Sequence, residues 1–224
     1  MLKIALAGWT VAFTERVDGD LRVSSRGPGE PLELVQRRLL GLLGLDSAAV
    51  ARQVHGTAVV ATDGAARGYA VGIAEADGVA SAERGVGAGV HVADCLPIAV
   101  GGKGAVAMLH GGWRGLEGGI VAEGVRALRA LGVTGELEAV IGPGAGGCCY
   151  ETGEEVRERF AVYGASNGRL LDLKAVAAGQ LREQGVGSVH DVGLCTICAP
   201  AARFFSHRRD GAATGRQGGF AWRS

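Results

Sequence analysis

Residues 91–115 read HVADCLPIAVGGKGAVAMLHGGWRG, and the placement of two reactive side chains in this stretch decides how the chain is organised. Residues 88–93 and 98–100 flank Cys95 with apolar strand composition, and residues 105–109 lead into His110 in the same way. Gly101-Gly102-Lys103-Gly104 between them has hairpin spacing, which makes the two strands antiparallel neighbours. Cys95 and His110 then lie on paired strands, close to one another. A thiol and an imidazole delivered there serve either as two metal ligands or as a nucleophile and its base.

Outward from this pair the chain alternates short strands with helices. Residues 4–13 read as a strand or a strand pair bent at Gly8, and residues 18–30 as a polar loop. Pro31 opens a helix whose apolar positions Leu32, Val35, Leu39 and Leu42 recur at helical spacing, and Gly44 closes it. Residues 50–60 read as a strand pair or a bent strand with Gln53, His55 and Thr57 on one face. A short strand starts at Ala76, and a single helix is expected over residues 113–131, with Leu116, Ile120, Val121, Val125 and Leu128 as its buried stripe. A buried strand over 137–141 precedes helices at about 153–160 and 170–184, and a tail of short strands ends in a basic, Gly-rich loop. No repeat or linker divides the chain, so residues 1–224 are read as one domain.

Composition narrows the function classes. The chain has 23 basic and 23 acidic residues, which argues against a global electrostatic grip on nucleic acid or an acidic membrane surface. Hydrophobic residues make up 47%, enough for a core, and no apolar run approaches the ~18 residues that span a bilayer. Gly, at 40 residues, exceeds twice the usual share of roughly 7% and sits between aliphatic runs, as tight turns require. Five cysteines with no signal segment before them fit a cytoplasmic protein with reduced thiols.

Several motif matches dissolve on inspection. Residues 142–147 fit G-x-G-x-x-G after a strand, but they come late, Pro143 stiffens them and the next helix starts too far on. What survives is a run of backbone N–H groups able to cradle an anion. Gly164-Ala165-Ser166-Asn167-Gly168 fits G-x-S-x-G without the strand before it and helix after it that a nucleophile elbow needs. Cys195-Thr196-Ile197-Cys198 lacks a second pair at similar spacing, since Cys148-Cys149 are adjacent, so it reads as a structural thiol pair or a facultative disulfide.

No H-E-x-x-H occurs, no H-x-E accompanies the C-x-x-C, and no H-x-H exists to support an oxidase copper site. A metal would take dispersed ligands: His55, Cys95 and His110. Two imidazoles and a thiolate suit zinc and leave a fourth position for water or substrate. Equally, Cys95 is a nucleophile with His110 as base, and Asp94 and Asp77 are groups that orient ligands or carry protons. Arg114, Arg208, Arg209 and Arg216 lie in Gly-rich, non-periodic segments, where a planar fork of donors suits phosphate or carboxylate.

Seven segments, taken in order, resemble one family. They are QVHG (53–56), ADGVAS (76–81), VADCLPI (92–98), LHGGWRGL (109–116), IGPGAGGCCYE (141–151), CT (195–196) and FFSHRRDGAATGR (204–216). The chain is identified as resembling the laccase-domain family, also called multicopper polyphenol oxidoreductases, zinc-type purine nucleoside phosphorylases or peptidoglycan editing factors. The resemblance implies an α+β domain of two mixed sheets packed between helical layers. It implies zinc on His55, Cys95 and His110, and phosphorolysis of adenosine, inosine and methylthioadenosine, with adenosine deamination besides. Three departures stand out: a short N-terminal region without the usual Gly-Gly-Val-Ser and Ser-Leu-Asn-Leu runs, Gly111 for the usual Ala, and His207 for the usual Tyr.

The expectation is therefore a zinc-dependent purine nucleoside enzyme. Cys95, Asp94 and Arg114 are its expected catalytic residues, with Asp94 shuttling protons. Gln53, Asp77, Arg208, Arg209 and Arg216 are the expected substrate-binding set, and nucleoside and phosphate the partners. Competing readings are a hydrolase editing a peptidoglycan precursor, a copper-dependent polyphenol oxidase and a zinc-stabilised binding module.

Overall fold

Both apolar faces of a strand must be covered when alternate residues on each side are hydrophobic, and this sequence meets the requirement by stacking two sheets. The computed structural model describes residues 1–22, 31–65 and 67–224. Most of the polar loop expected over 18–30 lies outside the described residues. The chain begins with the hairpin β1 (Leu2–Leu6) and β2 (Trp9–Phe13), then α1 (Leu32–Leu43), β3 (Ser47–Arg52), β4 (Val59–Thr62) and β5 (Gly68–Glu75). Next come β6 (Gly78–Ser81), β7 (Val86–Val92), β8 (Leu96–Gly102), β9 (Ala105–Gly111), α2 (Trp113–Gly118), α3 (Ile120–Ala130) and β10 (Leu137–Ile141). The remainder is α4 (Glu154–Glu158), the small pair β11 (Ser166–Asn167) and β12 (Leu170–Leu171), α5 (Leu173–Glu183), β13 (Ser188–Asp191), α6 (His207–Asp210) and β14 (Gln217–Arg223).

One six-stranded sheet has the order β1-β2-β14-β7-β3-β5 and the other β13-β10-β8-β9-β6-β4, both mixed. Trp9, Val11 and Phe13 of β2 point between the sheets, where they meet Ala99, Val106, Met108 and Val140 of the second sheet. The opposite face of β2 carries Ala12, which packs with Val50, Phe220 and Trp222 against Val35, Leu39 and Leu43 of α1. On the second sheet Leu96, Ile98, Val100 and Leu109 face Ile120, Val121, Leu128, Val176 and Leu181 of α3 and α5. The result is the expected helix–sheet–sheet–helix sandwich. Each large side chain buried in these layers contributes roughly 1.5–3 kcal/mol of transfer free energy.

The hairpin reading of 91–115 holds in detail. β8 and β9 are antiparallel, joined through Lys103-Gly104, with Pro97 opposite His110 and Leu96 opposite Gly111. Elsewhere the structure differs in instructive ways. Residues 50–60 do not form a local pair: β3 belongs to the first sheet and β4 to the second, so QVHG crosses between sheets. The helix expected over 113–131 is two, α2 and α3, because Gly119 takes φ 95°, a left-handed value that ends one helix and starts the next. The last long helix starts at Leu173 rather than Leu170, where the Asp172 carboxylate accepts the N–H groups of Lys174 and Ala175. β5 was not anticipated; it is a partly exposed edge strand interrupted by Gly72, with weak alternation.

Candidate metal centre and cleft

Two links between the sheets supply the centre. The β3–β4 link carries His55, the β7–β8 link carries Asp94 and Cys95, and β9 ends on His110. His55 (φ 61°) and Asp94 (φ 86°) are the only non-glycine residues in the left-handed region among those described. Such backbone costs of order 1–3 kcal/mol per residue and persists only where neighbours enforce it. In both places a carboxylate is the fastening point.

Asp77 enforces the first. It is fully buried, and its two oxygens accept the N–H groups of Val54 (3.1 Å), His55 (2.9 Å) and Gly56 (2.7 Å). The same carboxylate accepts Nδ1–H of His110 at 2.8 Å. Burial works against the Asp77 anion, but the His110 and backbone hydrogen bonds prevail and hold its pKa below the usual value. The second is held through the side chain of Asp94 itself. Its oxygens accept the hydroxyls of Thr196 (2.6 Å) and Ser206 (3.0 Å) and the N–H of Arg208 (2.7 Å).

With Nδ1–H committed to Asp77, His110 turns Nε2 toward Cys95 and His55. The donor atoms of His55, Cys95 and His110 all lie within 4.8 Å of one another, and the His55 Nε2–Cys95 Sγ distance is 3.9 Å. Burial penalises the Cys95 thiolate, yet His110 and His55 more than offset it, and its pKa falls to about 6. Burial likewise disfavours the His110 cation, but the Cys95 thiolate and Asp77 raise its pKa to about 9. Both shifts favour a thiolate beside an imidazolium, held where a cation can replace the proton. Gly112 leaves the space: a Cβ there would stand 3.1 Å from Cys95 Sγ and 3.2 Å from His55 Cδ2.

The cluster opens onto a cleft of about 810 Å³. Gln53, Arg114, Arg208 and Arg216 all line it, as do Asp94 and, from outside the expected set, His91, Trp113, Tyr150 and His207. The Arg114 guanidinium lies over the Trp113 ring at 4.3 Å, and that of Arg208 over Tyr150 at 5.0 Å. Arg208 also donates to the Glu151 carbonyl at 2.9 Å, and Arg216 to the carbonyls of Thr214 and Gly215. Gln53 uses its amide to bridge strand ends, donating to His91 O and accepting His91 N–H, both at 2.8 Å. His91 is held neutral, its pKa lowered to about 4 by burial and by the charge of Arg216. Its Nε2 lies 2.7 Å from the Tyr69 hydroxyl.

Arg209 and Asp77, both expected to bind substrate, are not among the residues that line the cleft. The Arg209 guanidinium donates to the carbonyls of Thr196 (2.9 Å) and Phe204 (2.6 Å) and pairs with Asp210, so it organises the chain behind the wall. Asp94 does line the cleft, where its carboxylate accepts three hydrogen bonds and anchors the Cys95 link to Thr196 and α6. A further expectation also changes. Cys148 and Cys149 do meet Cys195 and Cys198, all four Sγ atoms lying within 4.8 Å of one another.

This chain belongs to the family described as multi-copper polyphenol oxidoreductase laccase, whose pattern matches residues 29–224. A purine nucleoside phosphorylase of Deinococcus radiodurans is 34% identical over 229 residues, covering 92% of this chain and 85% of that protein. One of Aquifex aeolicus is 42% identical over 138 residues, covering 61% of this chain and 66% of the relative. Among solved structures, the Neisseria meningitidis protein NMB0706 superposes with a TM-score of 0.83 at 30% identity, covering 98% of this chain and 96% of that one. YlmD from Geobacillus stearothermophilus gives 0.81 at 28%, covering 97% and 92%. No described helix is long and apolar enough to cross a membrane.

Proposed function

We propose that the chain is a zinc-dependent enzyme of purine nucleosides, phosphorolysing adenosine, inosine and methylthioadenosine and deaminating adenosine. The supporting observation is one cleft that joins the His55–Cys95–His110 cluster to Arg114, Arg208 and Arg216. The naming of the relatives as purine nucleoside phosphorylases points the same way.

The donor set fits zinc: two imidazoles and a thiolate, with Asp77 fixing the tautomer of one imidazole and the backbone beside the other. Bound there, zinc supplies Lewis acidity toward an oxygen at its open position. A set of several copper ions would need many more imidazoles than the chain's five histidines provide.

In phosphorolysis a phosphate oxygen bonds to C1′ of the sugar, the C1′–N9 bond breaks, and the base leaves with a proton. Arg114, Arg208 and Arg216 hold the phosphate by charge-assisted hydrogen bonds. Trp113 and Tyr150, each already carrying a guanidinium on its face, present flat surfaces beside the anion. His207, exposed on the same wall, is the imidazole placed to hand the proton to the departing base. Asp94 keeps α6 and the Cys95 link in register.

The test is a product assay on zinc-loaded protein with adenosine, run with and without phosphate. Adenine and ribose 1-phosphate are expected with phosphate and inosine without it, and both vanish in Cys95→Ala. Formation of neither product by the wild type overturns the reading.

A further inference from the structure

We propose that Cys148, Cys149, Cys195 and Cys198 form a second metal site, a closed tetrathiolate cage for Zn²⁺ that holds the C-terminal wall of the cleft in place. It stands apart from the His55–Cys95–His110 cluster and shares no ligand with it.

The sulfur geometry carries the inference. The Sγ–Sγ distances are 2.8 Å (Cys149–Cys198), 3.3 Å (Cys148–Cys198), 3.5 Å (Cys149–Cys195) and 3.7 Å (Cys148–Cys149). Zn–S bonds of about 2.3 Å at tetrahedral angles place sulfurs about 3.8 Å apart, so a modest expansion of this cluster accommodates the ion. Four thiols gathered at one point have no apolar reason to be there, since Cys148 and Cys198 are exposed.

The backbone around the thiols is built for thiolates. Cys195 Sγ accepts the N–H of Gly146 at 3.3 Å. Such a donor stabilises a coordinated sulfur and orients it. The two cysteine pairs lie some fifty residues apart in sequence, yet a bridge between Gly144 and Cys195 fixes their segments side by side. Thr196 N donates to Gly144 O at 3.0 Å, and Gly144 N to Leu194 O at 3.3 Å. Gly146 permits the approach: a Cβ there would lie 3.2 Å from Cys148 Sγ.

The cage has a structural consequence for the cleft. Thr196 lies between Cys195 and Cys198, and its hydroxyl holds Asp94 beside Cys95. Arg209 of α6 grips the carbonyl of the same Thr196. An ion that fixes the Cys195–Cys198 turn therefore fixes α6, and with it the position of Arg208. Four thiols filling four positions leave no open site, so the role is structural, and loading releases the thiol protons to solvent.

Metal counting on intact protein purified under reducing conditions tests this without reference to activity. Wild type saturated with zinc is expected to hold about two equivalents per chain, and Cys95→Ala about one. In Cys95→Ala loaded with Co²⁺, the charge-transfer absorption of four cobalt–thiolate bonds is expected. Cys148→Ser/Cys198→Ser should lose that spectrum and keep the other equivalent. The Cys95→Ala measurement leaves the cage intact, so it stands even if the double variant fails to fold. Metal-free Cys95→Ala, or a mass lower by two hydrogens showing a disulfide in place of the ion, overturns the proposal.

Discussion

Nδ1 of His110 donates to Oδ1 of Asp77 at 2.8 Å, while the same carboxylate gathers the backbone N–H groups of Val54, His55 and Gly56. One buried anion thereby aims two imidazoles that lie fifty-five residues apart in sequence. Asp77 was expected both among the substrate-binding residues and as a group that orients ligands or carries protons. Its burial beneath the cluster and its contacts there suit the orienting part.

Asp77→Asn tests that part. The amide keeps a single acceptor oxygen and turns an NH₂ group toward donors, leaving at least one buried N–H without a partner. Zinc affinity of the His55–Cys95–His110 cluster should fall about 10–100-fold, and the metal-free fold should lose about 2–4 kcal/mol. Competition against a chromophoric chelator, in a background lacking Cys148 and Cys198, measures the first; denaturant unfolding measures the second. Unchanged affinity would show that the carboxylate does not position the ligands.

The opposite pKa shifts of Cys95 and His110 set the pH behaviour. The thiol falls from 9.0 to about 6, so its contribution to stability is complete above pH 9.0 and is lost as pH falls through about 6. The imidazole rises from 6.5 to about 9, so its contribution is complete below pH 6.5 and is lost as pH rises through about 9. Across the shared window the two slopes oppose, because folding moves one proton from sulfur to nitrogen and releases none. Stability of the metal-free protein should therefore show little pH dependence from this pair between about 6 and 9. Zinc binding, which must displace the proton of His110, should strengthen by about one decade per pH unit over that window and level off above about 9. Calorimetric titration of the Cys148→Ser/Cys198→Ser variant across buffers of different ionisation enthalpy counts the proton. A pH-independent affinity would contradict the thiolate–imidazolium assignment.

Neighbouring arginines should behave oppositely. Arg208→Ala removes an exposed cation from the cleft wall and should change stability by less than about 1 kcal/mol while raising the phosphate KM about tenfold. Arg209→Ala takes donors from the carbonyls of Thr196 and Phe204 and an ion-pair partner from Asp210. It should cost about 2–4 kcal/mol of stability. Equal effects of the two substitutions on stability would refute the assignment of Arg209 behind the wall.

The parts of this structure legible in the sequence were those governed by local rules. Lys103-Gly104 between two apolar runs determines a hairpin, and the hairpin alone brings Cys95 near His110. Pro31 and Gly44 bracket α1 for equally local reasons. His55 joined the cluster through its surroundings in QVHG, since nothing in residues 50–60 reveals that β3 and β4 enter different sheets. The Gly119 break was hidden because the apolar stripe continues in phase across it. The four-cysteine cluster was hidden for another reason: adjacent Cys148 and Cys149 match no familiar spacing, and their partners arrive only through tertiary contacts of the Gly142–Gly147 segment. Spacing also could not distinguish Arg208 from Arg209, because a one-turn helix sends consecutive side chains in different directions.

The crossing of QVHG and of Ala93–Cys95 from one sheet to the other has a mechanical meaning. β3 and β7 run parallel and side by side, so both links leave the first sheet at the same end and enter the second there. An ion shared by His55 and Cys95 would be a clasp across the rim of the sandwich. Removing it would let the layers hinge apart at the mouth of the cleft first, while Trp9, packed against Gly101 at the far end of β8, still holds them together deeper in.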